Sequence, residues 1–389
     1  MPRTPTVMAM LASVSQTYCV GELMAATKLS IVIPAYQAEA TICRAINSVL
    51  AWNLRELELI VVDDGSTDNT ANLVSMIAAS DSRLRLISQP NGGRSSARNR
   101  GVREATGAAV MFLDADDFLL EPAFPLLEKA LDSSYELIVF PLLRSDGVDT
   151  FGRPLDLQKV ERLGLEGFFE LSANDVLDAM VDGNVGALTP YAGLYEWNSA
   201  CSRLYKRDNL LGISNESTAE GPFDPSLRFS EDKLLNIEYL SQIKNEKVHF
   251  GSVPLYHWDL GASHTVAVIK GSDVSELGLF CGSVGRLRAA GLLDESQETK
   301  LIAIETILHL RRCSHMNGRE DIKKTKEEWV KVARLDNAVR AFKMCLKLHG
   351  ADALYSQALR SFRWGFPGAG LMYLRIIRQG INQVKKAHT

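Results

Sequence analysis

Leu59-Ile60-Val61-Val62-Asp63-Asp64-Gly65-Ser66 and Val110-Met111-Phe112-Leu113-Asp114-Ala115-Asp116-Asp117 are the stretches that decide the fold of this chain. Each is a short apolar run that ends in an acidic cluster. An unpaired carboxylate is costly to bury, so a strand ends this way where something else takes up the charge. In an open parallel sheet the carboxyl ends of the strands form the ligand crevice, and both clusters would meet there. Asp-x-Asp supplies hard oxygen ligands of the kind that hold Mg2+ or Mn2+ against phosphate oxygens. The pattern predicts a metal-assisted site for a nucleotide diphosphate.

Around these two runs, strands and helices alternate. Residues 29–33 are an apolar run closed by Pro34, and Ile42, Ile46, Val49 and Leu50 then recur at helical spacing. A second strand covers 57–62. Ser66 or Thr67 is placed to cap the following helix, which runs to about Ile77, because a hydroxyl can accept from free first-turn amides. A third strand, Leu84 to Ser88, leads through Asn91-Gly92-Gly93 into a helix from about Ser95. A fourth strand covers 109–113, Pro122 opens another helix, and Glu136 to Phe140 is a fifth strand. This alternation implies right-handed crossovers and an α/β fold with a mainly parallel sheet flanked by helices. Between Leu142 and Pro190 the regularity fades, as in an insertion near the mouth of a site. Order returns at Trp197–Leu211, at Phe229–Leu240 and in a strand at Lys247–Tyr256, and from about Val274 the pattern is helical. The expected division is a leader over 1–27, a main domain over 28–265 with an insertion at 142–195, and a helical C-terminal extension over 266–389.

Composition excludes more than it selects. An apolar fraction of 46% and a charged fraction of 23% are globular values. A net charge of −4 argues against a nucleic-acid partner. The cysteines at 19, 43, 201, 281, 313 and 345 have no short paired spacing, so neither disulfides nor structural zinc are expected. No stretch is apolar enough for long enough to span a bilayer. Residues 7–14, behind the single Arg3, imitate a signal peptide poorly, and Met24 is an alternative start. A cytoplasmic protein is expected.

From Leu29 to about Ser263 the chain resembles glycosyltransferase family 2, the inverting enzymes with the GT-A fold. Ile33-Pro34-Ala35-Tyr36 is similar to that family's opening Pro-x-Tyr, and Val62-Asp63-Asp64-Gly65-Ser66-Thr67-Asp68 to its Asp-Asp-Gly-Ser turn. Asn91-Gly92-Gly93 with Ala97-Arg98-Asn99-Arg100-Gly101 resembles the helix-opening segment, and Asp114-Ala115-Asp116-Asp117 stands at the Asp-x-Asp position. Ser202-Arg203-Leu204-Tyr205-Lys206-Arg207 is similar to the Lys-Leu-Tyr-Arg-Arg stretch, with Arg203 in place of the lysine. Glu231-Asp232 falls at the Glu-Asp motif, and Tyr256-His257-Trp258 with Ser263 resembles the closing aromatic segment. Single motifs of this kind are weak; their order over this span carries the resemblance.

The resemblance implies a GT-A-like nucleotide-diphospho-sugar transferase fold, a nucleotide-sugar donor (UDP-linked) and a divalent cofactor, Mn2+ or Mg2+. Tyr36, beside Pro34, offers a flat face on which a base can stack. The family assigns that base as uracil, with Asp64 on its edge and Ser66 in the same turn. Asp63 and Asp64 also read as acids at a helix N-terminus. Asp114 would contact the ribose and Asp116, with Asp117 as an alternative, the metal. One of Arg94, Arg98 and Arg100 meets phosphate or holds the acidic loop, unless all three simply line a solvated helix; Arg98 is the choice carried forward. The family makes Asp232 the base that takes the acceptor's proton, although Ser230-Glu231-Asp232 also reads as an ordinary helix start. His257 reads either as a metal or pyrophosphate contact or as a packing residue.

Residues 361–389 carry Arg363, Arg375, Arg378, Lys385 and Lys386 with no acid, alongside Phe362, Trp364 and Phe366. A basic amphipathic helix of this kind suits peripheral contact with the inner membrane face and a lipid-linked saccharide acceptor. Packing on the parent domain accounts for it equally. Two other functional classes fit parts of the pattern: a non-catalytic sugar-nucleotide-binding module, and a sugar nucleotidyltransferase. The latter should carry a Gly-rich basic loop after its first strand, where Pro34-Ala35-Tyr36-Gln37 stands instead. No motif in the sequence specifies a donor sugar, an acceptor, a linkage or an oligomeric state.

Overall fold

The computed structural model describes residues 27–149, 168–182, 184–189, 191–213, 221–261 and 274–314. The expected leader, most of the insertion's first half, Ser263 and the basic stretch at 361–389 lie outside the described residues.

In the first half, β1 (Leu29–Ala35), α1 (Ile42–Leu50), β2 (Leu57–Asp63), α2 (Thr70–Ala78), β3 (Leu84–Ser88), α3 (Arg94–Glu104) and β4 (Ala109–Phe112) alternate as the periodicity predicts. After the acidic turn come β5 (Phe118–Leu119), α4 (Phe124–Leu131), β6 (Leu137–Val139) and β7 (Leu142–Arg144). The second half contributes β8 (Phe168–Ser172), α5 (Ala173–Asp182), β9 (Arg203–Lys206), α6 (Arg207–Gly212), α7 (Glu231–Gln242), β10 (Lys247–Gly251) and β11 (Tyr256–Trp258). Then follow α8 (Val274–Ala289) and α9 (Glu295–Ser314).

Eight strands form one sheet in the order β3-β2-β1-β4-β9-β6-β10-β8. β1, β2, β3 and β4 run parallel, as do β6 and β10, while β9 is antiparallel to β4 and β6, and β8 to β10. β1 and β2, at the centre of the sheet, are mostly apolar, as strands covered on both faces are; Ile31, Val32, Ile33, Leu59, Ile60, Val61 and Val62 are all fully buried. Chain direction around β1 sets the crevice. β2 and β3 lie on one side of it and β4 on the other, so the loops leaving β1, β2 and β4 diverge at a topological switch point.

A second sheet, β5-β11-β7, is built from strands of only two or three residues, and β11 pairs antiparallel with β5 and parallel with β7. The expected single strand over Lys247–Tyr256 is therefore two, β10 in the large sheet and β11 in the small one. No described helix is long and apolar enough to cross a membrane.

Candidate active site

The register places the two acidic clusters side by side. Ala35 pairs with Asp63 across β1 and β2, and Val32 with Phe112 across β1 and β4. Beyond the last pairs, the Asp64 amide still donates to the Ala35 carbonyl at 2.8 Å and the Leu113 amide to that of Val32 at 3.0 Å. Both clusters thus emerge at the same end of the sheet, on either side of Tyr36, which is 52% exposed.

The first cluster is spent largely on its own loops. Asp63 accepts from the Ser66 amide at 3.2 Å. Asp64 accepts from the Gln89 side chain (2.8 Å) and from the amides of Gly92 (2.9 Å) and Gly93 (2.8 Å). These bonds draw the Asn91-Gly92-Gly93 loop towards β2, where Gly93 takes a φ of +88°, a conformation glycine adopts without strain. An ionised carboxylate has about four acceptor positions, so one remains on Asp64 for a ligand. Ser66 does not cap α2, whose N-cap is Asn69. Its hydroxyl instead accepts from the Gln37 amide at 3.0 Å, while Gln37 Oε1 accepts from the Thr67 amide at 2.7 Å. Pro34 is buried at the end of β1, so its part is to set the course of this knot and present Tyr36 beside it.

The second cluster is tied from three directions. Arg98 donates to Asp114 at 2.7 Å through Nη2 and to Asp232 at 2.6 Å through Nη1. The Tyr256 hydroxyl donates to Asp117 at 2.5 Å and accepts from the Asp114 amide at 3.2 Å. The Asp259 amide donates to Asp117 at 2.8 Å. Arg44 closes a ring by donating to Asp259 at 2.7 Å and to the Asp116 carbonyl at 2.6 Å. Neither Arg44 nor Asp259 carries a motif signal in the sequence, because their contact spans 215 positions.

Burial opposes charge on Asp114, yet Arg98 and Arg94 hold its carboxyl below the usual carboxylate range. Burial pushes Asp117 the other way, up to about 8, and the neighbouring Asp114 charge adds to the shift. Oxygens of Asp114, Asp116 and Asp117 lie within 4.8 Å of one another. Three hard oxygen donors this close match what a divalent cation such as Mg2+ or Mn2+ takes as ligands, with Asp117 giving up its proton when the cation binds. His257 is not part of that cluster. It occupies the opposite face of β11 from Tyr256, stacks on Phe118 with centroids 4.3 Å apart, and has its pKa lowered by burial.

Asp232 and Glu231 open α7. Asp232 Oδ2 accepts from the Ala200 amide at 3.1 Å, and Glu231 pairs with Arg94. Burial, with Asp232 adjacent, raises the Glu231 pKa. Ser230 makes no side-chain cap bond and sits in the left-handed region at φ 64°. Arg98, expected to meet phosphate or to hold the acidic loop, is fully buried and engaged by Asp114 and Asp232, while Arg100 pairs with Glu104 on the outer face of α3 at 2.9 Å.

Residues 30–191 match the family model described as glycosyl transferase family 2. Over this stretch, which is less than half of the chain, the protein is similar to glycosyltransferase family 2. The uncharacterised glycosyltransferase EpsJ of Bacillus subtilis is 24% identical over 317 residues, which cover 80% of this chain and 86% of that one. The chondroitin synthase of Pasteurella multocida is 40% identical over 101 residues, 26% of this chain but only 10% of the synthase. Among solved structures, S. aureus TarS 1-349 in complex with UDP-GlcNAc superposes with a TM-score of 0.61 at 16% identity, covering 91% of this chain and 92% of that one. This likeness gives the chain the GT-A-like fold, with the acidic turn after β4 at the crevice.

Proposed function

We propose that this glycosyltransferase moves a sugar from a UDP-linked donor to an acceptor hydroxyl with inversion, in the assembly of a polysaccharide or other surface glycan. The observation that carries this reading is the convergence of Asp114 and Asp232 on one buried arginine, which joins the donor side of the crevice to the start of α7. The base would lie against Tyr36, with the remaining Asp64 lone pair at its edge. Asp114 would take the ribose. Asp116, with its neighbours in the acidic turn, would hold the divalent cation, which neutralises charge on the departing diphosphate when bound. Asp232 would accept the acceptor's proton while the acceptor oxygen bonds to the anomeric carbon and the bond from that carbon to the β-phosphate oxygen breaks, releasing UDP. The UDP-GlcNAc held by TarS and the name of the chondroitin synthase agree with this donor class and context.

The division into a transferase domain at 28–265 and a helical extension at 266–389, and contact of 361–389 with a membrane bearing a lipid-linked acceptor, belong to the same proposal. The test is UDP release from UDP-glucose, UDP-galactose, UDP-GlcNAc and UDP-GalNAc with Mn2+, followed by proton NMR of the sugar product. The reading expects at least one donor to be turned over with its anomeric configuration inverted. A retained configuration, or UDP binding without turnover of any donor, would replace it with a retaining transferase or a binding module.

A further inference from the structure

Arg98 is fully buried, whereas the side chains of its two partners keep part of their surface open, 25% for Asp114 and 18% for Asp232. The guanidinium therefore sits behind the carboxylates and presents nothing to a substrate. Its fork reaches two different acids, Asp114 Oδ1 at 2.7 Å and Asp232 Oδ1 at 2.6 Å. Aromatic rings flank it, with Phe112 at 5.9 Å and Phe223 at 5.3 Å from the guanidinium carbon. Asn99, the next residue of α3, secures Phe223 in both directions: its Nδ2 donates to the Phe223 carbonyl at 2.8 Å and its Oδ1 accepts from the Phe223 amide at 2.9 Å. The far oxygen of Asp232 is fixed by the Ala200 amide.

We infer that Arg98 is a positioning residue that yokes the donor-anchoring Asp114 to the base Asp232, so that donor and proton acceptor are set at one spacing. The inference rests on the proposed role of Asp232 as base. Two carboxylates brought this close repel one another, and a cation shared between them offsets that repulsion. Only a planar fork holds both at fixed angles; an ammonium is a point charge that does not impose the spacing. Misplacement of a reacting group by about 1 Å can cost about 10²-fold in rate, so the yoke's effect falls on turnover.

The test is a double-mutant cycle on kcat, using the UDP-sugar of the four-donor panel that is turned over fastest, with Arg98→Lys, Asp232→Asn and the pair combined. Arg98→Lys is expected to lower kcat by about 10- to 100-fold, with a smaller change in the donor KM. The double variant is expected within about threefold of Asp232→Asn alone, since groups that act as one unit are not additive. Losses that multiply would show that Arg98 acts apart from the base and would overturn the inference while sparing the base assignment. If Asp232→Asn keeps the wild-type rate, the base assignment falls and the inference with it. Should Arg98→Lys fail to fold, Phe223→Leu, which loosens one wall of the guanidinium without touching either acid, takes its place in the same cycle with the same expectations.

Discussion

Both carboxylate oxygens of Asp117 are engaged, by the Tyr256 hydroxyl and the Asp259 amide, yet burial and the adjacent Asp114 still push its pKa to about 8. A carboxyl whose pKa is higher folded than unfolded holds its proton more tightly in the native state. Stability then falls as pH rises from the unfolded value of 3.8 towards about 8. Asp117→Asn removes this dependence, so with divalent cations chelated the variant's Tm should gain on wild type between about pH 5 and pH 8. Parallel Tm curves would show that Asp117 is ionised throughout. Asp116 is expected to act on binding. Asp116→Asn keeps the shape but not the charge that attracts a cation, so calorimetric titration with UDP should lose its dependence on Mn2+. An undiminished response to Mn2+ would place the cation elsewhere.

At the scale of elements, α3 delivers Arg98 and Asn99 because it lies directly on β1. A Cβ at Gly101 would stand 2.2 Å from Val32 Cγ1, so the helix approaches the strand more closely than any other residue allows. Gly101→Ala should cost about 1–3 kcal/mol in urea unfolding, as overpacked cores do; a neutral substitution would mean that α3 can ride higher without loss. The strands that carry the site were legible in the sequence, since an apolar run ending in acids is a local signal and β2 and β4 end where those runs end. The helix start after Asp64 was not. Ser66 has cap chemistry, but the Gln37 amide takes its hydroxyl, a contact 29 residues away. The small sheet escaped for a related reason: strands of two or three residues hold too little alternation to register, and β11 is fixed by partners far along the chain. Arg98 stood in a readable motif, yet its partner Asp232 is 134 positions away, so only the fold reveals what the arginine holds.

Over the whole molecule, the C-terminal helices brace the site from behind. α9 reaches α5 through Lys300–Asp182 at 2.6 Å and α7 through the buried pair Lys233–Glu305 at 3.9 Å. α8 reaches the segment before α7, where Asp224 accepts from Ser283 at 3.3 Å and Arg286 at 3.5 Å while also binding the Ser226 amide and hydroxyl. Asp224 adjoins Phe223, so this joint supports the wall over Arg98. Asp224→Ala takes its acceptor from the buried Ser283 hydroxyl and should cost about 1–3 kcal/mol, with faster amide hydrogen exchange over 221–229 and unchanged UDP affinity. Unaltered exchange there would confine the effect to α8. The central claim is that the acidic turn binds the donor while the start of α7 performs the proton transfer, and Asp232→Asn separates the two. Measured with Mn2+, UDP affinity of the variant should stay near wild type while kcat for UDP release falls by about 10²–10⁴-fold, the range for a positioned base. A variant that keeps most of its turnover, or that loses UDP binding along with it, would contradict the account.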